Sequence, residues 1–176
     1  MRQVKMVSGV SGSGKSTHVL NVIMDYMKGL GMTAEQMMSS PMPTATVSLC
    51  SADSFFEVPN EGGPPTYNFD ASKLSEAHGK CFRDFITALT SNVELVVVDN
   101  TNTTVAEVAP YFLGAQAYGY DIDLITVMCE TDADIKLCAA RNTHNVPEGG
   151  IFAQHRRLCA RELMPWWKNT FQPVVR

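Results

Sequence analysis

A three-layer α/β/α architecture, with helices on both faces of a parallel sheet of four or five strands and a helical lid, is what this sequence predicts, and three observations carry it. The first is Gly9-Val10-Ser11-Gly12-Ser13-Gly14-Lys15-Ser16, which matches the phosphate-loop pattern G-x-x-x-x-G-K-[ST] and lies between a strand-like and a helix-like stretch. The second is Leu95-Val96-Val97-Val98, an apolar run without alternation, as a strand buried on both faces requires, ending at Asp99. The third is the regular succession of short apolar runs and amphipathic segments, which is the signature of β-α repeats around a parallel sheet.

Composition sets the outer limits. The chain has 176 residues, 45% of them hydrophobic, and no apolar run long enough for a membrane span, so one domain covering 1–176 is expected, soluble and globular. Five cysteines, an odd number without C-x-x-C spacing, together with no leader-like segment, predict reduced core thiols and a cytoplasmic setting. A formal net charge of -4 argues against a broad nucleic-acid-coating surface but leaves room for a basic groove. No repeat, low-complexity tract or metal-ligand cluster stands out in the sequence.

In chain order, Gln3 to Ser8 reads as the first strand and Lys15 to Lys28 as a helix, with Val19, Leu20, Val22, Ile23 and Tyr26 on its apolar side and Gly29 and Gly31 ending it. Between them, Gly9, Gly12 and Gly14 permit a backbone that turns successive N–H groups toward a phosphate, helped by the helix N-terminus. Gly9, Ser11, Gly12, Ser13, Gly14, Lys15, Ser16 and Thr17 are therefore the expected nucleotide contacts, with Lys15 on the β- and γ-phosphates and Ser16 on Mg²⁺. The alternative is a Gly/Ser-rich turn that merely caps a helix.

Met32 to Thr46 reads as a connection with one helical turn over 33–38, its methionines filling gaps. Thr46 to Cys50 is the second strand, and its C-terminal end, where ligands sit in open α/β sheets, delivers Asp53. Alone, such an aspartate is a turn former or helix cap; beside a phosphate loop it is placed to accept the proton of an attacking hydroxyl. Glu57 to Thr66 is expected to be a mobile surface loop.

From Asp70 a helix follows, with Leu74, Ala77, Cys81, Phe82, Phe85 and Leu89 on one face. His78 falls within that face and is read as a hydrogen-bonded core histidine, with a substrate contact as the alternative. The third strand then ends at Asp99, a carboxylate suited to the Mg²⁺ complex; no glutamate follows, so the arrangement that activates water is absent and transfer to an acceptor is favoured.

A helix over Val105 to Tyr118, bent or interrupted near Pro110, a strand over Ile122 to Met128 and a Thr131-capped helix to Arg141 follow. The stretch from Arg141 to Gly150 reads as a lid whose arginine can stabilise phosphoryl charge, against a plain helix-end charge as alternative. The last helix spans Ile151 to Leu163, with a basic stripe of Arg156, Arg157 and Arg161, and Trp166-Trp167 anchor the tail.

These segments together, Gly9 to Ser16, Ser51-x-Asp53, Val98-Asp99-Asn100-Thr101-Asn102 and Arg141-Asn142-x-His144-x-Val146-Pro147, resemble the kinase domain of phage-type polynucleotide kinases and their eukaryotic relatives over nearly the whole chain. The resemblance implies a P-loop kinase with ATP and Mg²⁺ as cofactors, a polynucleotide 5′-hydroxyl as acceptor, Asp53 as general base, Asp99 supporting metal and loop serine, and Arg141 on the donor phosphates. Two departures stand against it: His144 lies where some members carry a second lid arginine, and Ser54-Phe55-Phe56-Glu57 where some carry an arginine for the acceptor's phosphate. A kinase for a hydroxyl on a modified DNA base or small molecule, and an ATP-binding switch without transfer, are the remaining readings. The absence of N-K-x-D favours ATP over GTP.

Overall fold

The computed structural model describes residues 2–33, 46–60 and 62–175. The helical turn expected over 33–38 lies outside them except for Thr33. The elements are β1 (Gln3–Gly9), α1 (Lys15–Gly29), β2 (Val47–Ser51), β3 (Glu57–Asn60), β4 (Gly63–Tyr67), α2 (Leu74–Thr90), β5 (Leu95–Asp99), α3 (Val105–Ala117), β6 (Asp121–Met128), α4 (Asp132–Arg141), α5 (Glu148–Cys159) and β7 (Lys168–Pro173). The main sheet has five strands in the order β2-β5-β1-β6-β7, and every neighbouring pair is parallel.

The unbroken apolar run of β5 is resolved by its neighbours on the two faces. Val96 and Val98 join the cluster under α2 and α3, with Phe85, Leu89 and Phe112, while Leu95 and Val97 join the one under α1, α4 and α5, with Val19, Ile23, Cys138 and Ile151. Alternate residues of one buried strand thus feed two cores, which is why the strand cannot afford a polar position before Asp99.

Local chemistry sets the helix starts. Thr104 with Glu107, and Thr131 with Asp134, form reciprocal capping boxes at α3 and α4, and the second pair confirms the expected cap at Thr131. The helix α3 runs on through Pro110 without interruption.

Four expectations are corrected. The stretch from Glu57 to Thr66 is an antiparallel ribbon, β3 with β4, turned at Gly62 (φ 83°). A two-stranded ribbon has free edges on both sides, so its prolines break no ladder in a sheet interior. Beyond Trp167, which stacks on Phe112 with ring centroids 4.4 Å apart, the tail adds strand β7; Trp166 is exposed. Four cysteines are buried free thiols as expected, but Cys159 is exposed.

The basic stripe does not form either. The helix α5 ends at Cys159, and Arg161 turns inward, donating to Ser8 Oγ (2.8 Å), Thr126 Oγ1 (2.7 Å) and the Asn102 carbonyl. Burial pushes its guanidinium down to about 10, which leaves it charged at neutral pH. Since Ser8 and Thr126 are fully buried, this fork ties the ends of β1 and β6 to the loop after β5.

Arg161→Leu is expected to lower stability by roughly 2 to 4 kcal/mol by stranding those groups. Arg161→Lys, a point charge without the fork, recovers only part of it. Urea unfolding at constant slope measures both, and a wild-type midpoint for the leucine variant would make the fork dispensable.

Candidate active site

At the C-terminal end of β1 the chain turns through Gly12 (φ 76°) and Gly14 (φ 92°), backbone conformations that side-chain-bearing residues rarely adopt. Space demands glycine as well as conformation. A Cβ on Gly12 would lie 2.1 Å from the Cys138 carbonyl oxygen, because the backbone of α4 rests directly on the loop. Gly14 caps α1 with no side-chain hydrogen bond, and while the Thr17 and His18 N–H groups donate to its carbonyl, those of Lys15 and Ser16 at the helix start can face an anion.

Lys15 folds over this loop, its Nζ donating to the Val10 carbonyl at 3.0 Å. Burial lowers its pKa, opposed by the carboxylates of Asp99 and Asp53. Ser13 Oγ is buried without a partner, a polar atom available to a ligand.

Arg141, at the C-terminal end of α4, donates from Nε to the Gly12 carbonyl and from Nη1 to the Val175 carbonyl, while Nη2 is buried and unpaired. The arginine is docked on the loop rather than carried by the segment beyond it. That segment is a compact turn built on Asn142, whose Oδ1 accepts from the N–H groups of His144 (3.1 Å) and Val146 (3.2 Å).

The two carboxylates arrive on neighbouring strands. Ser51 of β2 stands in register with Asp99 of β5, and Asp53 follows two residues later in a single 3-10 turn, Asp53–Phe56. Asn100 fixes this exit, accepting the Ala52 N–H on Oδ1 at 2.9 Å and donating to Cys81 Sγ at 3.4 Å. Burial raises the pKa of Asp99, with Lys15 pulling the other way.

Asp53 is held by side chains from two distant segments. Tyr67, at the end of β4, donates its hydroxyl to Oδ1 at 3.1 Å, and His144 Nε2 lies 3.6 Å from Oδ2. The Tyr67 and His144 rings themselves meet, with centroids 4.6 Å apart. Burial first, and the Asp53 carboxylate second, push the Tyr67 phenol far up, so it remains a donor at any working pH.

Lys15, Ser16, Asp53, Asp99, Arg141 and His144 border one cleft of about 980 Å³. His78 borders it too and is exposed rather than packed in the core, a correction of the core-histidine reading. Three contributors were not legible in the sequence. Gln154 of α5 accepts the Ser11 N–H at 2.8 Å, the Val175 N–H donates to the Ser13 carbonyl at 3.3 Å, and Tyr67 reaches Asp53 from the ribbon. None lies in a motif, and each reaches the site through tertiary packing alone.

Gly12→Ala is expected to force α4 off the loop and weaken nucleotide binding by about tenfold or more, since under 3 Å something must shift. Gly29→Ala, with open space around its Cβ position, should bind as wild type. Isothermal titration of both variants checks this; equal affinities would mean that α4 does not shape the loop.

A family model described as an AAA domain matches residues 4–160. Among solved structures, a sugar kinase from Janibacter sp. HTCC2649 aligns with TM-score 0.56 at 16% identity, covering 99% of this chain and 86% of its own. A gluconokinase from Sinorhizobium meliloti 1021 aligns with TM-score 0.55 at 17% identity, covering 100% and 86%. A chain of the Pnkp1/Rnl/Hen1 RNA repair complex aligns with TM-score 0.59 at 14% identity over 90% of this chain and 44% of that one. At such identities the likeness to solved structures speaks for the fold alone. Matched by the family model over most of its length and carrying its phosphate loop between β1 and α1, the chain belongs to the AAA domain family, built on a P-loop kinase fold.

Proposed function

We propose that this protein, as a single kinase domain over 1–176, transfers the γ-phosphoryl group of ATP to a hydroxyl, with the 5′-hydroxyl of a polynucleotide as the leading acceptor. The observation that carries the reading is Asp53: a carboxylate presented to the phosphate-loop cleft and aimed there by Tyr67 and His144. A general base must stand where an attacking hydroxyl can reach both it and the γ-phosphorus, and the end of β2 beside the loop is such a place.

In this reading the amides of Gly12, Gly14, Lys15 and Ser16 hold the β-phosphate, those of Ser13 and Thr17 being bonded to the Val10 and Gly14 carbonyls, and Lys15 and the free Nη2 of Arg141 meet the charge that builds on the transferring group. The acceptor oxygen bonds to the γ-phosphorus, the bond to the bridging oxygen of ADP breaks, and the hydroxyl proton passes to Asp53. Ser16 and Asp99 offer a hydroxyl and a carboxylate, hard oxygen donors that would hold Mg²⁺. A metal bound there would supply neutralisation of the phosphate charge.

Asn100 follows Asp99 where water activation would need a carboxylate, and its side chain is already committed to Ala52 and Cys81, which supports transfer over hydrolysis. The free thiols support a cytoplasmic setting; among the described residues no helix is long and apolar enough to cross a membrane. The second reading, a hydroxyl on a modified base or small molecule, is favoured by Ser54-Phe55-Phe56-Glu57, which offers no arginine to an acceptor phosphate.

Asp53→Asn keeps the shape and the Tyr67 contact but removes the proton acceptor, so transfer should fall by about a hundredfold or more while ATP affinity and melting temperature stay near wild type. Retained transfer in a well-folded Asp53→Asn protein would sink the assignment, and absent transfer in the wild type would leave an ATP-binding switch. Arg141→Ala should lower kcat by roughly a thousandfold. An effect confined to the acceptor KM would move Arg141 to the acceptor side.

A further inference from the structure

The side of the cleft away from the phosphate loop has a chemistry of its own. Phe56, almost fully buried, supports two outer rings: Phe69 at 5.1 Å between centroids and Tyr67 at 6.0 Å. Tyr67 and Phe69 lie two residues apart with ring planes only 9° from parallel and centroids 6.4 Å apart, so they present faces in one orientation. Phe69 borders the cleft while 47% exposed, and Leu74 beside it is 39% exposed. Two large apolar side chains left open to water next to a held carboxylate are not accounted for by the packing of the fold.

Charge is distributed with equal asymmetry. The cations among the described residues bordering the cleft, Lys15 and Arg141, both sit on the phosphate loop. On the aromatic side the titratable neighbours are Asp53, His78 and His144, and His144 is engaged with Asp53. An acceptor whose phosphate or carboxylate had to lie against that wall would meet aromatic faces and a carboxylate, with no lysine or arginine among the described residues bordering it.

We propose that the acceptor is recognised through an uncharged planar ring laid against the Phe69 and Tyr67 wall, so that the phosphorylated hydroxyl is the 5′-hydroxyl of a terminal nucleoside whose base stacks there and whose 3′-phosphate lies away from that wall. This rests on the kinase reading above and deepens it. The hydroxyl reaches Asp53 while the base covers Phe69, because Tyr67 belongs to both the wall and the Asp53 hydrogen bond. Stacking reads the presence of a base and tolerates its identity, so little sequence preference follows.

The test compares two oligonucleotides with 5′-hydroxyl ends, one ending in a thymidine and one in an abasic deoxyribose, with gluconate as a ring-free anionic acceptor. Wild type should use the base-bearing end with a kcat/KM about tenfold or more above the abasic end, and Phe69→Ala and Phe69→Leu should erase that ratio at unchanged melting temperature. Equal use of both ends by wild type would overturn the ring inference and leave the polynucleotide reading standing. Preference for gluconate would overturn both. If no acceptor is phosphorylated, the polynucleotide reading falls, and equilibrium binding of the same two oligonucleotides decides the ring: tighter binding of the base-bearing end, lost in Phe69→Ala, supports it, and equal affinities overturn it.

Discussion

Three parallel strands ending level with one another are the constraint on which the cleft depends. Asp99 of β5 is in register with Val7 of β1 on one side and Ser51 of β2 on the other, so the phosphate loop, the half-buried carboxylate and the Asp53 turn leave the sheet at the same height. A slip of one residue in β5 would turn Val96 and Val98 toward the wrong core and carry Asp99 out of the site with them. The two-faced burial of that strand therefore fixes the chemistry as firmly as it fixes the fold.

Within this frame the charges are held against their own burial. Lys15 is pushed down and Asp99 up by loss of water, and each is sustained by the other. Lys15 is meanwhile bonded to the Val10 carbonyl, and Arg141 spends two of its three nitrogens on the Gly12 and Val175 carbonyls. The charges around the loop are thus held by the protein's own carbonyls and carboxylates, and in the proposed kinase reading this order lowers the reorganisation that phosphoryl transfer requires. The other side is of a different kind, with aromatic faces and histidines around a single carboxylate.

How much of this was legible in the sequence follows from the range of the forces involved. The glycines of the loop, the buried run ending at Asp99 and the Thr131 cap are local demands, and each was readable within a few residues of itself. Tyr67 was not, because the ribbon that carries it reads as a proline- and glycine-rich loop until its two strands are paired. Arg161 looked like one of three surface arginines; only the early end of α5 turns it onto Ser8 and Thr126. His78 keeps the spacing of the apolar face, yet the open cleft beside it leaves it in water. The strand β7 is short and mixed in polarity, and its pairing with β6 is a long-range fact with no periodic trace.

The cleft is proposed to move phosphoryl groups to a hydroxyl and to spare water. The most direct measurement follows the γ-phosphate of labelled ATP in the presence of a 5′-hydroxyl oligonucleotide, counting label on the oligonucleotide against label released as inorganic phosphate. The account predicts that most of the label leaves ATP onto the oligonucleotide, with slow release to water when the acceptor is omitted. Release of inorganic phosphate at the same rate with and without acceptor, and no labelled oligonucleotide, would contradict it.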